Sequence, residues 1–423
     1  MKKHVVIVGG GFGGLKAAKF FSEYPDLVDV TLVDKRNYHL FQPLLYQVAT
    51  AGLSPADIAT PIRNVLSDAK NVTVYLEEIK SVNPKNNSLE ASHVSTKYDY
   101  LILACGATHS YFGKDHWEEF APGLKTLEMA TEIRRRILMA FESAEKEADL
   151  NKQKEYLTFV IVGGGPTGVE MAGAISEIAR QTMEADFRNI DPNHTRVLLI
   201  EAGKKVLASF DETLSIDARA DLKNLGVEIM TETRVTDINA EGVTIKALDG
   251  VEQKISARTV VWAAGVRSAA INSTLDVPLD QAGRIIVGKD LSIINHPNIF
   301  VIGDQAHFEE ESKRVLPGLA PVAIQMGKHA AKNIIRLIQN EKSLEFKYTD
   351  KGQMATIGRK LAVMEFKGVK ARGFIAWVAW LLVHIYYLIG FKNRLFVLMQ
   401  WTWSYMTFSR GARLITKRDW KDT

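Results

Sequence analysis

The run His4-Val5-Val6-Ile7-Val8 passes directly into Gly9-Gly10-Gly11-Phe12-Gly13-Gly14, and this junction decides the fold. A short β-branched run is a buried strand, and a glycine cluster at its end is a tight turn. Leu15, Ala18 and Phe21 then share one helical stripe, and a second apolar run, Val30-Thr31-Leu32-Val33, ends in Asp34. Strand, glycine turn, helix, strand and acid make a βαβ unit, whose buried parallel strands read as continuous apolar runs.

The same order returns about 150 residues on. Thr158-Phe159-Val160-Ile161-Val162 runs into Gly163-Gly164-Gly165-Pro166-Thr167-Gly168, and after an Ala- and Gly-rich helical stretch Arg196-Val197-Leu198-Leu199-Ile200 closes in Glu201. That interval is too long for a solenoid repeat and suits two related domains. Further strand-like runs end in Ala104-Cys105-Gly106-Ala107, Ala263-Ala264-Gly265-Val266 and Val301-Ile302-Gly303-Asp304. Residues 126–155 read as one charged surface helix with Ile133, Ile137, Phe141 and Ala144 inward.

Each glycine has a task in this pattern. The first allows the turn, the second admits a pyrophosphate to the backbone, and the third lets helix approach strand. The helix N-terminus then faces the phosphates, and the acid can take ribose hydroxyls. Gly9, Gly11 and Gly14 with Asp34 twenty residues later match this spacing. Gly163, Gly165 and Gly168 repeat it, but Glu201 lies 33 residues past the last glycine, which implies an inserted loop near Arg188–Asn193. An acid there favours NADH by repelling a 2′-phosphate, an argument that Lys204 and Lys205 weaken. Two dinucleotide sites suggest one tight and one exchangeable cofactor, a flavin accepting the hydride that a nicotinamide gives up. The spacing alone does not say which site holds which.

Composition narrows the alternatives. The chain has 423 residues, 53 Lys+Arg against 49 Asp+Glu and one cysteine, Cys105. The net charge of +4 gives no support to nucleic-acid binding, and one cysteine excludes a disulfide scaffold, a Cys-based metal cage and a two-thiol redox centre within the chain. No metal ligands are assigned. Cys105, Trp117 and Trp262 read as core. Residues 351–423 carry thirteen Lys/Arg, three Asp/Glu and five of the seven tryptophans, leaving residues 1–350 at −6. Only four apolar residues separate Met1-Lys2-Lys3-His4 from the glycines, so neither a secretory leader nor a transit peptide is expected.

These residues resemble the two-dinucleotide-binding-domain flavoproteins, and most closely the type II NADH:quinone oxidoreductases. Beside the two glycine motifs, the resemblance rests on Asn37-Tyr38-His39-Leu40-Phe41-Gln42-Pro43-Leu44-Leu45-Tyr46-Gln47, on Val301-Ile302-Gly303-Asp304 and on Ser409-Arg410-Gly411-Ala412-Arg413-Leu414-Ile415-Thr416. It implies an α/β fold with two Rossmann-like domains and a C-terminal amphipathic helical region for membrane docking. The implied boundaries are 1–115 and 266–345 for the two parts of an FAD domain, 116–265 for an NADH domain and 346–423 for the C-terminal region.

Carried over residue by residue, the resemblance places FAD, tightly bound, at Gly9, Gly11, Phe12, Gly13, Gly14, Asp34, Lys35, Ala104, Gly106, Gly303 and Asp304. It places exchangeable NADH at Gly163, Gly165, Thr167, Gly168, Glu201 and Gly265. Glu170 corresponds to a family glutamate near nicotinamide and flavin, and is named catalytic with Gln325. The quinone element aligns with residues 320–327, giving Ala320, Pro321, Ala323 and Gln325 as quinone contacts, although Pro321 replaces a family glutamine and removes one polar handle.

Residues 374–389 are sixteen consecutive residues without Lys, Arg, Asp or Glu, and Leu395–Phe408 follows as a second apolar stretch. Sixteen helical residues span ~24 Å, short of a ~30 Å hydrocarbon core. Two amphipathic helices lying in one leaflet, with residues 372–413 against anionic lipid, fit better than a span. The expected enzyme is therefore a peripheral protein on the cytoplasmic face of the inner membrane, passing two electrons from NADH through FAD to a membrane quinone without pumping protons. A homodimer through the same stripes is a candidate assembly. Removing residues from about 370 onward is expected to leave dye reduction and to abolish coupling to membrane quinone. A redox-gated signalling flavoprotein and a soluble NADH-dependent reductase of a protein carrier are the alternatives. The retained acids and six motif glycines oppose the first, and the apolar tail opposes the second. A sulfide:quinone oxidoreductase needs paired cysteines, which the chain lacks.

Overall fold

The alternation of apolar runs and glycine turns builds two compact units. The structure, a computed structural model, describes residues 1–91, 95–183, 186–407 and 411–416. Phe408, Ser409, Arg410 and Trp420, which figure in the sequence reading of the tail, lie outside the described residues. One unit comprises Met1–Leu40, Ala59–Thr108 and Val266–Thr349, and the other Phe41–Ile58, His109–Gly265 and Asp350–Thr423.

The first unit is built on a six-stranded sheet in the order Ser292–Ile293, His296–Val301, Tyr100–Leu103, Lys3–Val8, Val28–Asp34, Val72–Leu76. All neighbours run parallel except the edge strand Ser292–Ile293. Val5, Val6 and Ile7 are completely buried, as a strand covered on both faces requires. Helix Phe12–Phe21 lies against helix Ala320–Ile338 so closely that a Cβ at Gly327 would fall 2.2 Å from the Gly13 carbonyl oxygen.

The second unit carries a four-stranded parallel sheet, Val227–Met230, Arg196–Ile200, Thr158–Val162, Thr259–Trp262. Trp117 and Trp262 are buried in its core. The helix expected over 126–155 is two helices, Leu127–Lys146 and Leu150–Tyr156, because the chain turns extended at Glu147 and Asp149 caps the second by accepting from the Asn151 N–H. The predicted inward stripe, Ile133, Ile137, Phe141 and Ala144, is buried.

The C-terminal region is not a separate appendage. Strands Gln353–Gly358, Leu361–Phe366 and Val369–Arg372 form an antiparallel sheet, followed by helices Gly373–Tyr387 and Phe391–Thr407. The first of these strands touches helix Pro166–Glu177 backbone to backbone, since a Cβ at Gly173 would lie 1.7 Å from the Ile357 carbonyl oxygen. Residues 41–58, expected in the FAD domain, belong to this second unit, where Leu44, Leu45, Tyr46 and Val48 are buried.

The two C-terminal helices depart from the expected amphipathic form. Trp380 is 1% exposed and Trp401 6%, so these rings face inward, whereas Trp403 is 65% exposed. On helix Phe391–Thr407 Val397 and Trp401 turn inward, and Phe396 and Met399 stand exposed beside Trp403. Both faces are apolar. His384 adds no charge, because burial holds it down at about 4. Among the described residues no helix is long and apolar enough to cross a membrane.

Candidate functional site: two glycine cradles and a carboxyl in an aromatic cavity

In the first unit the glycine loop emerges from the middle of the parallel sheet, where the chain order reverses and a crevice opens. Gly9 has φ +107°, and a Cβ there would lie 2.3 Å from the Ala104 carbonyl oxygen. A Cβ at Gly14 would meet the Gly9 oxygen at 1.8 Å. A Cβ at Gly11, by contrast, would meet no atom within 4 Å. The first and third glycines are thus demanded by the protein itself, and the second stands over open space. Asp34 grips the loop, accepting from the N–H of Gly10 at 2.6 Å and of Arg36 at 2.7 Å. Burial pushes its carboxyl up, against the pull of those two donors.

Neighbouring loops are held by a buried polar network. Gln305, completely buried, accepts from the Cys105 N–H at 2.7 Å and donates to Asn272 at 2.5 Å. This ties the Ala104–Gly106 turn to Gly303–Asp304, two segments the sequence assigns to FAD. Phe12 lies edge-on to His39, and Lys35 makes an exposed ion pair with Glu78. The Cys105 thiol, pushed up to about 12 by burial, has no nucleophilic form at neutral pH.

The second unit repeats the arrangement. Gly163 has φ +110°, a Cβ at Gly168 would meet the Gly163 oxygen at 1.8 Å, and one at Gly165 would meet nothing within 4 Å. Glu201 accepts from the N–H of Gly164 and of Gly203, both at 2.6 Å. Despite the 33-residue interval Glu201 therefore occupies the place Asp34 holds in the first unit. The excess is a turn at Ile178–Thr182 and a loop that carries the short helix Pro192–His194. In both units the acid spends two acceptor sites on its own loop, leaving others for a ribose. Lys205 donates to the Phe210 carbonyl oxygen at 3.2 Å. Thr167 lies in the first turn of helix Pro166–Glu177, and Gly265 sits at φ +76° against the Phe112 ring.

Glu170 lies one turn further along the same helix. It lines a cavity of about 750 Å³, counting the part open to solvent, with Tyr46, Gln47, Glu177, Arg359, Trp380 and Trp401 among its walls. Burial pushes the Glu170 carboxyl up to about 8, against one N–H donated by Thr356. The Tyr46 hydroxyl is pushed far above its ordinary value by burial and by Glu170, so both groups hold protons at neutral pH.

The segment 320–327 has a different character. Gln325 donates to the Thr349 carbonyl oxygen at 2.9 Å and accepts from its N–H at 3.0 Å, which occupies both ends of the carboxamide. Ala323 is buried under Gly13 and Gly303, and Ala320 and Pro321 form the first turn of the helix. Gln325 and Glu170 fall in different units. The cavity itself was missed in the sequence. Tyr46 and Gln47 stood inside the quoted motif at 37–47, but nothing linear linked them to Thr356 or Trp401.

Two glycine cradles, each beneath its own acid on its own parallel sheet, have the form of two dinucleotide-binding units. Accordingly, the pyridine nucleotide-disulphide oxidoreductase family model matches residues 3–327. A model of the NDH2 C-terminal domain matches residues 351–410. The type II NADH:quinone oxidoreductase Ndh of Mycobacterium tuberculosis is 43% identical over 426 residues, covering 98% of this chain and 90% of that protein. A type II NADH:quinone oxidoreductase of Staphylococcus haemolyticus is 31% identical, covering 84% and 88%. The structure of NDH2 from Plasmodium falciparum in complex with NADH has a TM-score of 0.90 at 21% identity, covering 99% of this chain and all of that one. The sulfide:quinone oxidoreductase of Aquifex aeolicus gives 0.73 at 19%, covering 93% and 91%, a likeness of fold. The chain belongs to the type II NADH:quinone oxidoreductases. It is an FAD-dependent enzyme, and NADH is its other dinucleotide.

Proposed function

We propose that this protein docks on the cytoplasmic face of the inner membrane and reduces a membrane quinone there, without moving protons across the bilayer. FAD is assigned to the cradle of Gly9, Gly11, Gly14 and Asp34 with Gly303 and Asp304, and NADH to that of Gly163, Gly165, Gly168 and Glu201. The open space over Gly11 and Gly165 supports both assignments, because a pyrophosphate needs that approach and a side chain would fill it. The chemistry supplied by a bound flavin is acceptance of a hydride from the nicotinamide and delivery of two electrons to a quinone.

The chain's own residues orient the cofactors and handle protons. Reducing a quinone to a quinol consumes two protons, and the Glu170 carboxyl holds one at neutral pH beside aromatic walls. Gln325, by strapping Thr349, and Ala323, under the first glycine helix, hold the FAD cradle in shape; quinone contact along 320–327 is assigned to the half-buried turn at Ala320–Pro321.

The observation that carries membrane docking is the outward apolar face of the C-terminal helices, where Ile375, Leu382, Tyr386, Met399 and Trp403 are each more than half exposed. Patches of this kind on a protein surface mark interaction sites. Lys392 lies on the same stretch and suits anionic headgroups, whereas Arg372 pairs with Asp217 and Arg394 donates to the Leu388 and Tyr386 carbonyl oxygens. A second copy could share the patch as a homodimer. Truncation near residue 370 is a poor test, because it also removes Trp380 and Trp401 from the cavity wall. Substituting Ile375, Met399 and Trp403 by Glu spares those walls. The triple variant should still bleach with NADH and reduce a small dye, yet fail to sediment with phosphatidylglycerol vesicles. Sedimentation equal to the unaltered protein refutes docking by this face.

A further inference from the structure

A continuous line of hydrogen bonds joins the exposed C-terminal helix to the cavity carboxyl. The Trp401 indole N–H donates to Gln47 Oε1 at 2.8 Å, and Gln47 Nε2 donates to the Tyr46 hydroxyl at 2.9 Å. That hydroxyl is 3.1 Å from Thr356 Oγ1, and the Thr356 N–H donates to Glu170. We propose that Gln47 is a positioning residue: through Tyr46 and Thr356 it makes the proton affinity of Glu170 depend on how helix Phe391–Thr407 is seated.

The outer half of the line has a fixed sense. An indole N–H can only donate, so the Gln47 oxygen must face Trp401 and its amide must face Tyr46. Between the phenol and Thr356 Oγ1 either oxygen can donate. Tyr46, Thr356 and Trp401 are each at least nine-tenths buried, and Gln47 between them is half-buried. The middle and the inner end are anchored. The Gln47 carbonyl oxygen accepts from the N–H of Gly52 and Leu53, which fixes the short helix Leu45–Ala49. Strand Gln353–Gly358 bears on Gly173 with no room for a Cβ, so a shift at Thr356 is felt on the helix that carries Glu170.

The other end is open to the outside. Trp401 points inward from a helix whose opposite face shows Phe396, Met399 and Trp403. A change of surroundings on that outer face moves the helix and, with it, the first donor of the line.

Other titratable groups around Glu170 bear on any change in its titration. Tyr46 and Tyr405 face it from the short helix and the last helix, and Glu177 lies on its own helix. Arg359 follows the strand, donates its N–H to Glu177 and sets its guanidinium over the Tyr405 ring at 5.1 Å. Tyr46 is itself a member of the line and is retained in both variants, and substitutions at Trp401 and Gln47 leave Glu177, Arg359 and Tyr405 in place.

This inference rests on the quinone reading above. The test is the pH profile of NADH:quinone turnover by the flavin-loaded enzyme, using a short-chain ubiquinone analogue and, separately, menadione. Trp401→Phe keeps the ring and removes the N–H; Gln47→Leu keeps the bulk and removes the carboxamide. Flavin content and dye reduction establish that each variant is folded. Loosening Thr356 weakens the one donor that favours the ionised carboxyl. The limb at which activity falls in alkali should therefore move upward, by about half a pH unit or threefold in proton affinity. The double variant should move no further than the larger single one. Profiles of both single variants that overlay the parent, or a double shift equal to the sum of the singles, overturn the proposal. A parent enzyme that bleaches with NADH yet passes nothing to either quinone overturns the underlying reading and the line with it.

Discussion

The Glu170 carboxyl offers a sharp test of the cavity, because its two protonation states couple to stability as well as to turnover. Its ordinary value is 4.5 and burial moves it to about 8. Between those values the folded protein holds a proton that the unfolded chain releases, so the folded state loses stability as pH rises through this window and levels off above it. If the whole gap is expressed it amounts to about 5 kcal/mol. Glu170 is not fully sealed from solvent, and a loss of about 2–5 kcal/mol is expected. Glu170→Gln keeps the shape and removes the titration.

The assay is the urea midpoint of parent and variant from pH 5 to 9, followed through tryptophan fluorescence. The variant should gain on the parent steadily up to about pH 8 and by a constant amount thereafter. NADH:quinone turnover of the parent should fall in the same alkaline range, and the variant should lack that limb. Midpoints that differ by one constant amount across the whole range would refute the argument, since a carboxyl with an ordinary value contributes no slope there.

Three further outcomes follow from the geometry. Gly11→Ala should fold but purify with little flavin, read from its visible absorbance, because the new methyl enters open space that the protein does not use. Gly165→Ala should keep its flavin and raise KM for NADH by about tenfold or more, equivalent to at least ~1.4 kcal/mol of lost binding. Gln325→Leu should lower the urea-derived stability by about 1–2 kcal/mol through loss of two bonds to Thr349; unchanged stability would refute the strap.

What could be read from the sequence follows a physical line. Lys3–Val8 and Thr158–Val162 are legible because a strand covered on both faces has no polar positions to blur it. The glycine loops are legible because Gly9 and Gly163 adopt φ near +110°, where other residues are strained. Glu201 was found despite a long interval because a loop insertion leaves the strand end where it was. The break at Glu147–Asp149 was missed because the inward stripe ends at Ala144, so periodicity no longer marks the helix beyond it. The cavity was not legible at all. Its walls come from residues near 46, 170, 357, 380, 401 and 405, and no spacing rule connects them.

The C-terminal helices show most clearly why pattern alone falls short. A surface helix on a soluble protein reveals its inward face by contrast, apolar against polar. Helix Gly373–Tyr387 has almost none: Trp377 and Trp380 are buried, and Phe374, Ile375, Leu382 and Tyr386 are exposed and just as apolar. From the sequence the tryptophans of the C-terminal stretch read as part of a lipid-docking surface, yet Trp377, Trp380 and Trp401 are buried and line the cavity. Such a helix has two apolar surroundings to satisfy. One is supplied by Tyr46 and by the strands that follow residue 352, and the other is left open by the described residues. Were water the outer neighbour, the exposed rings would be a steady cost with nothing to offset it. A lipid surface removes that cost. On the docking proposed above, the buried tryptophans and the exposed ones serve two ends of one device, in which the helices that would meet the membrane also wall the pocket that holds the Glu170 carboxyl.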